Sequence, residues 1–482
     1  MTKSLDVEIP SNLTSDQNQA INIFRTWFED SSLKEPFVLS GYAGTGKTFL
    51  AMKFLKLVEE KRLCWTVAAP THKAVGVLRK ALDNEGLRPT WYPSTIHRLL
   101  RLKLKRKRDL EMCEETEQTA NSLEQLALVI VDESSMIDNS LLEIVLKCAH
   151  SFGTRLVFIG DPAQLPPVGQ AESSVFVMKR AVFAHLHKVV RHQGPVLKLA
   201  SSIRDGRFPC ELPPCWPVLK TSKGFVASLN KLDWLEAAKS SLKTAYKNDN
   251  PDEARILCYT NKTLDSLVPH ARRAIHGDMA DQLPVLPGEI LITRRAVMAA
   301  ASADGEGVGE EPDMLIGSNR EMMVLDVTTI CCDLGDYCRF LKSDYKTPLI
   351  ETLVIKVLCD HREFSLRLLP QVATKSRQDL DAALNRLSEI AKGSSRKEAR
   401  ECWRAFFLVR DSFASVGPAA VLTVHRSQGS TFENVFVAPD VFTPKDICLR
   451  RQLTYVAVSR ASKQVWLVGN PKEEITNNFD CS

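Results

Sequence analysis

The chain has 482 residues, 44% hydrophobic and 25% charged, with a formal net charge of +5. That length exceeds one ordinary core and suggests two to four domains at ~100–200 residues each, while the ordinary composition argues against a disordered or fibrous chain. No apolar run approaches the ~18 residues a membrane span requires, and the opening MTKSLDVEIPSN lacks the apolar stretch of a secretory signal, so the expected location is cytoplasmic. Thirteen scattered cysteines with no CxxC pair fit free thiols in a reducing compartment; a metal site at Cys210/Cys215 or Cys331/Cys332/Cys338 is the alternative. The mild positive charge permits nucleic-acid binding without requiring it.

In chain order, LTSDQNQAI (13–21) reads as a helix start capped by Thr14 or Ser15. It exposes Gln17, whose amide could read the edge of adenine by paired hydrogen bonds. FVLSGYAGTGKTFLAMKFL (37–55) follows: an apolar strand, a G-x-x-x-x-G-K-T loop, then apolar residues at helical spacing. Gly41, Gly44 and Gly46 let backbone N–H groups, Thr45 among them, curl around phosphates at a helix N-terminus. Lys47 is expected on the β- and γ-phosphates and the Thr48 hydroxyl on Mg²⁺, which makes ATP and Mg²⁺ the expected cofactors.

RLKLKRKRDLEMCEE (101–115) alternates apolar and charged residues with a period of two and then mirrors the pattern with opposite charge. Folding it about Lys107 sets Leu104 against Leu110, Leu102 against Met112, Lys105 against Asp109 and Lys103 against Glu111. Opposite-charge cross-strand pairs contribute ~0.2–1 kcal/mol each, so this register predicts a hairpin with Arg106, Lys107 and Arg108 at its tip. A basic targeting sequence would not need the alternation; a solvated surface ribbon would share it.

LALVIVDESSM (126–136) is a buried-type strand ending in two carboxylates. Beyond such a strand Asp132 can hold the Mg²⁺ shell while Glu133 orients and deprotonates the attacking water. TRLVFIGDPAQLPPVG (154–169) is a third such strand, placing Asp161 and Gln164 on the same sheet edge; Gln164 could sense the γ-phosphate.

With the later segments, these motifs resemble superfamily 1 helicases, specifically the RecD/Dda branch. AAPTHKAVGVL (68–78) and STIHRLL (94–100) look like motifs Ia and Ib, which implies DNA contacts from Thr71, His72, Thr95 and His97. HLHKVVRHQGPVLKLASSIRDG (185–206) resembles the segment that brings an arginine, here Arg191, to the nucleotide. ARILCYTNKTLDSLV (254–268) implies a second backbone grip at Thr260 and Asn261. VLTVHRSQGSTFENVFV (421–437) and RRQLTYVAVSRAS (450–462) resemble motifs V and VI. They imply DNA contacts from Thr423 and His425, a nucleotide-site glycine at Gly429, and a catalytic Arg460. Ser459 and Arg426 stand where Thr and Lys are usual, and keep a hydroxyl and a charge.

The resemblance implies an α/β chain: two RecA-like P-loop domains with parallel sheets, a β-hairpin inserted in the first, a β-barrel with a helical extension inserted in the second. The expected division is 1–186, with the hairpin insertion at 97–125; 187–283 with 419–482; and 284–418 for the barrel. The implied activity is ATP-dependent DNA unwinding with 5′ to 3′ movement along the single strand, in replication, recombination or repair, the hairpin acting as the pin that splits the duplex. Its tip offers no apolar or aromatic side chain, which favours phosphate contacts at the fork. Single-stranded and forked DNA are the expected partners, with single-stranded-DNA-binding or replication proteins beside them, and the chain is expected to work as a monomer. The motifs do not separate DNA from RNA, and a nucleic-acid remodelling module without catalysis is the other alternative.

Overall fold

The computed structural model describes residues 13–107, 110–190, 194–207, 215–298, 314–338, 348–371 and 374–472. They divide into two compact units, one of Met1–Ala237, Asp252–Thr263 and Thr423–Ser482, the other of Ala238–Pro251 and Leu264–Leu422. Among the described residues no helix is long and apolar enough to cross a membrane, and no group of three metal-ligating side chains is found.

The first unit opens with α1 (Ser15–Glu29), β1 (Phe37–Gly41), α2 (Lys47–Glu60), β2 (Trp65–Ala69), α3 (His72–Glu85), β3 (Ser94–Thr95) and a single helical turn, α4 (Ile96–Leu99). After the hairpin strands β4 (Lys103–Lys107) and β5 (Leu110–Glu114) come β6 (Leu128–Val131), α5 (Asn139–Phe152), β7 (Arg155–Gly160), β8 (Val182–Leu186) and α6 (Pro195–Arg204). Strands pair in the order β3-β2-β6-β7-β1-β8, each neighbouring pair parallel. Every residue of β1, β2 and β6 is buried, as continuous apolar runs covered on both faces require. Successive side chains alternate between the two faces. Phe37 and Leu39 join a core with Phe24, Trp27 and Phe54 from α1 and α2, where the Phe24 and Phe54 rings stack at 4.0 Å. Val38 instead joins Leu141, Leu142 and Val145 of α5. The P-loop therefore leaves a strand fixed on both sides.

Five strands of a second, six-stranded sheet lie in the same unit, in the order Leu219–Thr221, Gly224–Leu229, Ala461–Val468, Phe432–Val437 and Ala254–Cys258. All its pairings in that series are parallel except the first. One parallel sheet and one parallel but for its edge pair are the α/β architecture that the resemblance implies.

The second unit carries an antiparallel sheet in the order Arg362–Arg367, Leu349–Cys359, Glu321–Asp333, Ile290–Thr293, Val416–Pro418. A bridge between Leu368 and Ala414 joins the ends of its two outer strands, bringing the sheet toward a small barrel. Helices Lys375–Gly393 and Arg396–Asp411 pack on each other through Leu380, Leu387, Ala405 and Val409, with Leu384 partly buried beside them. The first of these helices ends at Gly393. Trp403, Phe406 and Phe407 pack against one another at 5.4–6.0 Å.

The hairpin exists, with a different register. Lys103 lies opposite Glu114, Leu104 opposite Cys113, Lys105 opposite Met112, Arg106 opposite Glu111 and Lys107 opposite Leu110. Two residues, Arg108 and Asp109, separate the paired strands and lie outside the described residues. Arg106 and Lys107 are therefore strand residues rather than tip residues. The expected fold about Lys107 put three residues, Arg106 to Arg108, in the connection, whereas two-residue connections are the commonest in hairpins. The register again sets residues of opposite charge across from each other, but different ones: Lys103 across from Glu114 and Arg106 across from Glu111.

Candidate nucleotide and nucleic-acid site

The P-loop is shaped by its glycines. Gly44 and Gly46 take φ of 81° and 90°, the left-handed region that other residues enter at a cost of about 1–2 kcal/mol. A Cβ on Gly46 would lie 2.7 Å from Gln17 Nε2, and one on Gly41 2.7 Å from Thr45 Oγ1. Lys47 Nζ donates to the carbonyls of Gly41 and Tyr42 at 2.7 and 3.0 Å. Thr48, half-buried, is the second residue of α2.

Gln17 does more structural work than its sequence context suggested. Thr14 is the cap, and its N–H donates to Gln17 Oε1 at 3.1 Å in a capping box, while Gln17 Nε2 donates to the Thr45 carbonyl at 3.0 Å. The amide thus braces α1 against the P-loop, and any adenine contact would have to share it. Asp16 extends the brace: its carboxylate accepts the N–H groups of His187 and Lys188 at 2.8 and 2.9 Å. Val190 N–H then donates to the Gly44 carbonyl at 3.0 Å. Arg191, the next residue, lies outside the described residues.

Asp132 is buried at the end of β6. Burial, then the Glu133 charge, pushes its carboxyl up to about 7, against the pull of the Glu133 N–H and of Lys47. Glu133 takes φ of 50°, a left-handed conformation of the kind that collects at functional sites. Two crowded carboxylates, one of them buried, are oxygen donors of the kind Mg²⁺ takes. At the end of β7, Asp161 is fully buried, and Gln164 is buried with no partner for Oε1.

The second sheet contributes from the other side. Helix Ile447–Ser459 presents Tyr455, whose hydroxyl accepts from Ala43 N–H at 3.0 Å and donates to Asp161 Oδ2 at 2.6 Å. Arg460, 6% exposed, caps that helix; its Nη1 donates to the Ser430 carbonyl at 3.2 Å, and its Nε is buried without a partner. Arg204 lays its guanidinium 4.0 Å from the centre of the Tyr42 ring, and Gln428 Nε2 donates to the Leu165 carbonyl at 3.1 Å. Gly429, the glycine expected at the nucleotide site, packs on the start of α3: a Cβ there would meet Thr71 Oγ1 at 3.1 Å and Ala74 Cβ at 3.4 Å. Close approach to α3, with φ of 73°, accounts for glycine at that position.

Most hydroxyls named as strand contacts also shape backbone. Thr71 caps α3 by accepting from Ala74 N–H, and Thr95 caps α4 by accepting from Arg98 N–H. Thr260 is exposed, caps the helix that Asn261 begins by accepting from Thr263 N–H, and donates to Asp440 Oδ2 at 3.0 Å. The Asp440 carboxylate also accepts the N–H groups of Tyr259 and Thr260 at 3.1 and 2.9 Å. Thr423 is buried, His425 half-buried with its ring 6.2 Å from Tyr259, and His72 half-buried at the start of α3. Burial lowers the pKa of His425, and that of His97 despite Asp138.

The sequence of this chain is 24% identical to the ATP-dependent DNA helicase dda of Enterobacteria phage T4, over 95% of this chain and 99% of that one. The resemblance to superfamily 1 helicases of the Dda and RecD branch is borne out. The RecD subunit of the RecBCD enzyme of Mycolicibacterium smegmatis is also 24% identical, over 90% of this chain and 68% of its own length. A family model described as an AAA domain matches residues 13–212, and one described as a UvrD-like helicase C-terminal domain matches residues 418–468. Among solved structures, a Bacteroides Pif1 helicase in complex with ADP-AlF3 and ssDNA aligns over 94% of this chain and 92% of that one, at 16% identity and a TM-score of 0.46.

Four functional candidates escaped the sequence reading: Asp16, Arg204, Asp440 and Tyr455. Tyr455 had a signal, lying five residues before Arg460 in a motif already singled out. The other three act through partners distant in sequence, for which no local pattern exists.

Proposed function

We propose that the protein is an ATP-dependent DNA helicase that moves 5′ to 3′ along single-stranded DNA and opens forked duplex. The observation that carries this is the approach of Tyr455, from the helix that ends at Arg460, to the P-loop and to Asp161, in a chain similar to Dda over 95% of its length.

In this reading Lys47 exchanges its two carbonyl partners for the β- and γ-phosphates. Thr48 and Asp132 are the residues that would hold Mg²⁺, which would supply positive charge to offset that of the phosphates. Glu133 orients the attacking water and takes its proton. Gln164 Oε1, buried without a partner, accepts a hydrogen bond from the water in this reading, and sensing of the γ-phosphate would fall to its Nε2 donor. Arg460, with Arg191, offsets charge that builds on the γ-phosphate oxygens. Thr71, His72, Thr95 and His97 grip backbone from one sheet, and Thr260, Asn261, Thr423 and His425 from the other. ATP binding and release then alternate those grips, and the hairpin meets the fork, its basic residues on phosphates. RNA in place of DNA is the second reading, because nothing in these grips requires the absence of a 2′-OH.

ATP-driven unwinding of matched DNA and RNA forks, each with a 5′ or a 3′ loading strand, tests this. DNA forks with 5′ tails are expected to open. Opening only from 3′ tails would overturn the polarity, and a preference for RNA would overturn the substrate.

A further inference from the structure

Tyr455 has no role in the mechanism above, yet it is the side chain on which three parts of the site meet. It is 2% exposed. Ala43, whose N–H donates to its hydroxyl at 3.0 Å, is a P-loop residue, and such N–H groups are the ones that cradle phosphate. Asp161, which accepts from the hydroxyl at 2.6 Å, holds the turn that follows β7. Its other oxygen accepts Ala163 N–H at 2.9 Å, and its carbonyl accepts Gln164 N–H at 3.2 Å. One hydroxyl therefore ties the phosphate loop to the turn that bears Gln164, and the helix that supplies it ends at Arg460.

We infer that Tyr455 is a positioning residue for ATP hydrolysis: its hydroxyl fixes the Ala43 amide and the Asp161–Gln164 turn relative to each other. The helix that brings Arg460 to the nucleotide sets that alignment in the same movement. No bond is made or broken at Tyr455. It acts through Gln164 and the P-loop amide, and the inference rests on the nucleotide-site reading above. Burial, with Asp161 beside it, raises the tyrosine pKa well above the ordinary value. The hydroxyl thus keeps its proton, and the direction of both hydrogen bonds is fixed: the proton to Asp161, a lone pair to Ala43. Phenylalanine would keep the ring and its packing while depriving both groups of this partner.

The test compares Tyr455→Phe with the wild-type chain in ATP hydrolysis at saturating single-stranded DNA. The expected result is a kcat lower by about tenfold or more with a KM for ATP changed by less than about threefold. Adding Asp161→Asn should cost less than about threefold more, because the two groups act as one unit. A variant with a lowered melting temperature but wild-type kcat and KM would leave Tyr455 a packing residue and overturn the inference. If Tyr455→Phe fails to fold, Asp161→Asn alone weakens the same link, and a kcat within about twofold of wild type would overturn it. Absence of ATP hydrolysis by the wild-type chain would overturn the helicase reading and this one together. Hydrolysis that is DNA-stimulated and indifferent to Tyr455→Phe would overturn this one alone.

Discussion

Lys47 is already bonded to two loop carbonyls, so its charge is held where phosphate would enter rather than waving in water. Lys47→Ala is expected to abolish ATP turnover while single-strand binding persists; hydrolysis surviving in that variant would remove the lysine from the site. Glu133→Gln should cost about 10²–10⁴-fold in kcat, the usual weight of a general base, with ATP and DNA binding retained in equilibrium titrations. The half-buried histidines carry a pH signature. Burial holds His97 and His425 below the ordinary value near 6.5, so below that pH the unfolded chain takes up protons that the folded rings refuse. Their contribution to stability is therefore full above the unfolded value and declines as pH falls through it toward the lowered folded values. Melting temperatures measured across pH 5–8 should fall on the acid side of ~6.5, and His425→Gln should flatten that decline. Burial favours the neutral form of the His425 ring, so replacing His425 should leave the salt dependence of DNA affinity at pH 7 unchanged.

At the scale of elements, the hairpin shows what sequence can and cannot specify. Its existence was legible because alternation with a period of two has one structural meaning over five residues. Its register was not, because cross-strand charge pairs worth under ~1 kcal/mol leave several pairings close in energy, and the observed one keeps two opposite-charge pairs of its own. Replacing Arg106, Lys107 and Arg108 together by Ser should reduce unwinding of a forked duplex while ATP hydrolysis on single strands continues; wild-type unwinding by that variant would sink the pin assignment. The P-loop and the strand ending in Asp132 and Glu133 were readable for the opposite reason: each is a contiguous stretch whose chemistry and backbone needs coincide. Gln17 lay between these cases. Its sequence position marked the right neighbourhood, but its partners Thr14 and Thr45 assign the amide to bracing the loop. The bracing depends on the fold of a segment 28 residues away.

At the scale of the whole molecule, coupling between the two parallel sheets rests on a few close approaches. Lys73 on α3 bonds Asp252 at 3.1 Å and lies 4.7 Å from the centre of the Phe432 ring, and Gly429 abuts Thr71 nearby. A methyl at Gly429 would press on the residue expected to grip the DNA strand and would meet a backbone φ of 73°, an unfavourable combination of about 1–2 kcal/mol. Gly429→Ala should therefore lower unwinding per ATP consumed more than it lowers ATP hydrolysis itself, as read from paired assays on one fork. Equal losses in both would show that the contact supports folding without transmitting movement. Little of this layer was visible beforehand, since each contact joins residues whose sequence neighbourhoods say nothing about one another.

The bond between Ala43 and Tyr455 spans 412 positions of the chain, and that separation can be counted in time as well as in space. At a synthesis rate of ~5–20 residues per second, roughly 20–80 s pass between the emergence of the phosphate loop and that of the hydroxyl that completes its surroundings. A ribosome-bound chain would thus carry a nucleotide pocket long before it carries Tyr455 and Arg460. Such a nascent chain could hold ATP as a folding ligand without the means to consume it.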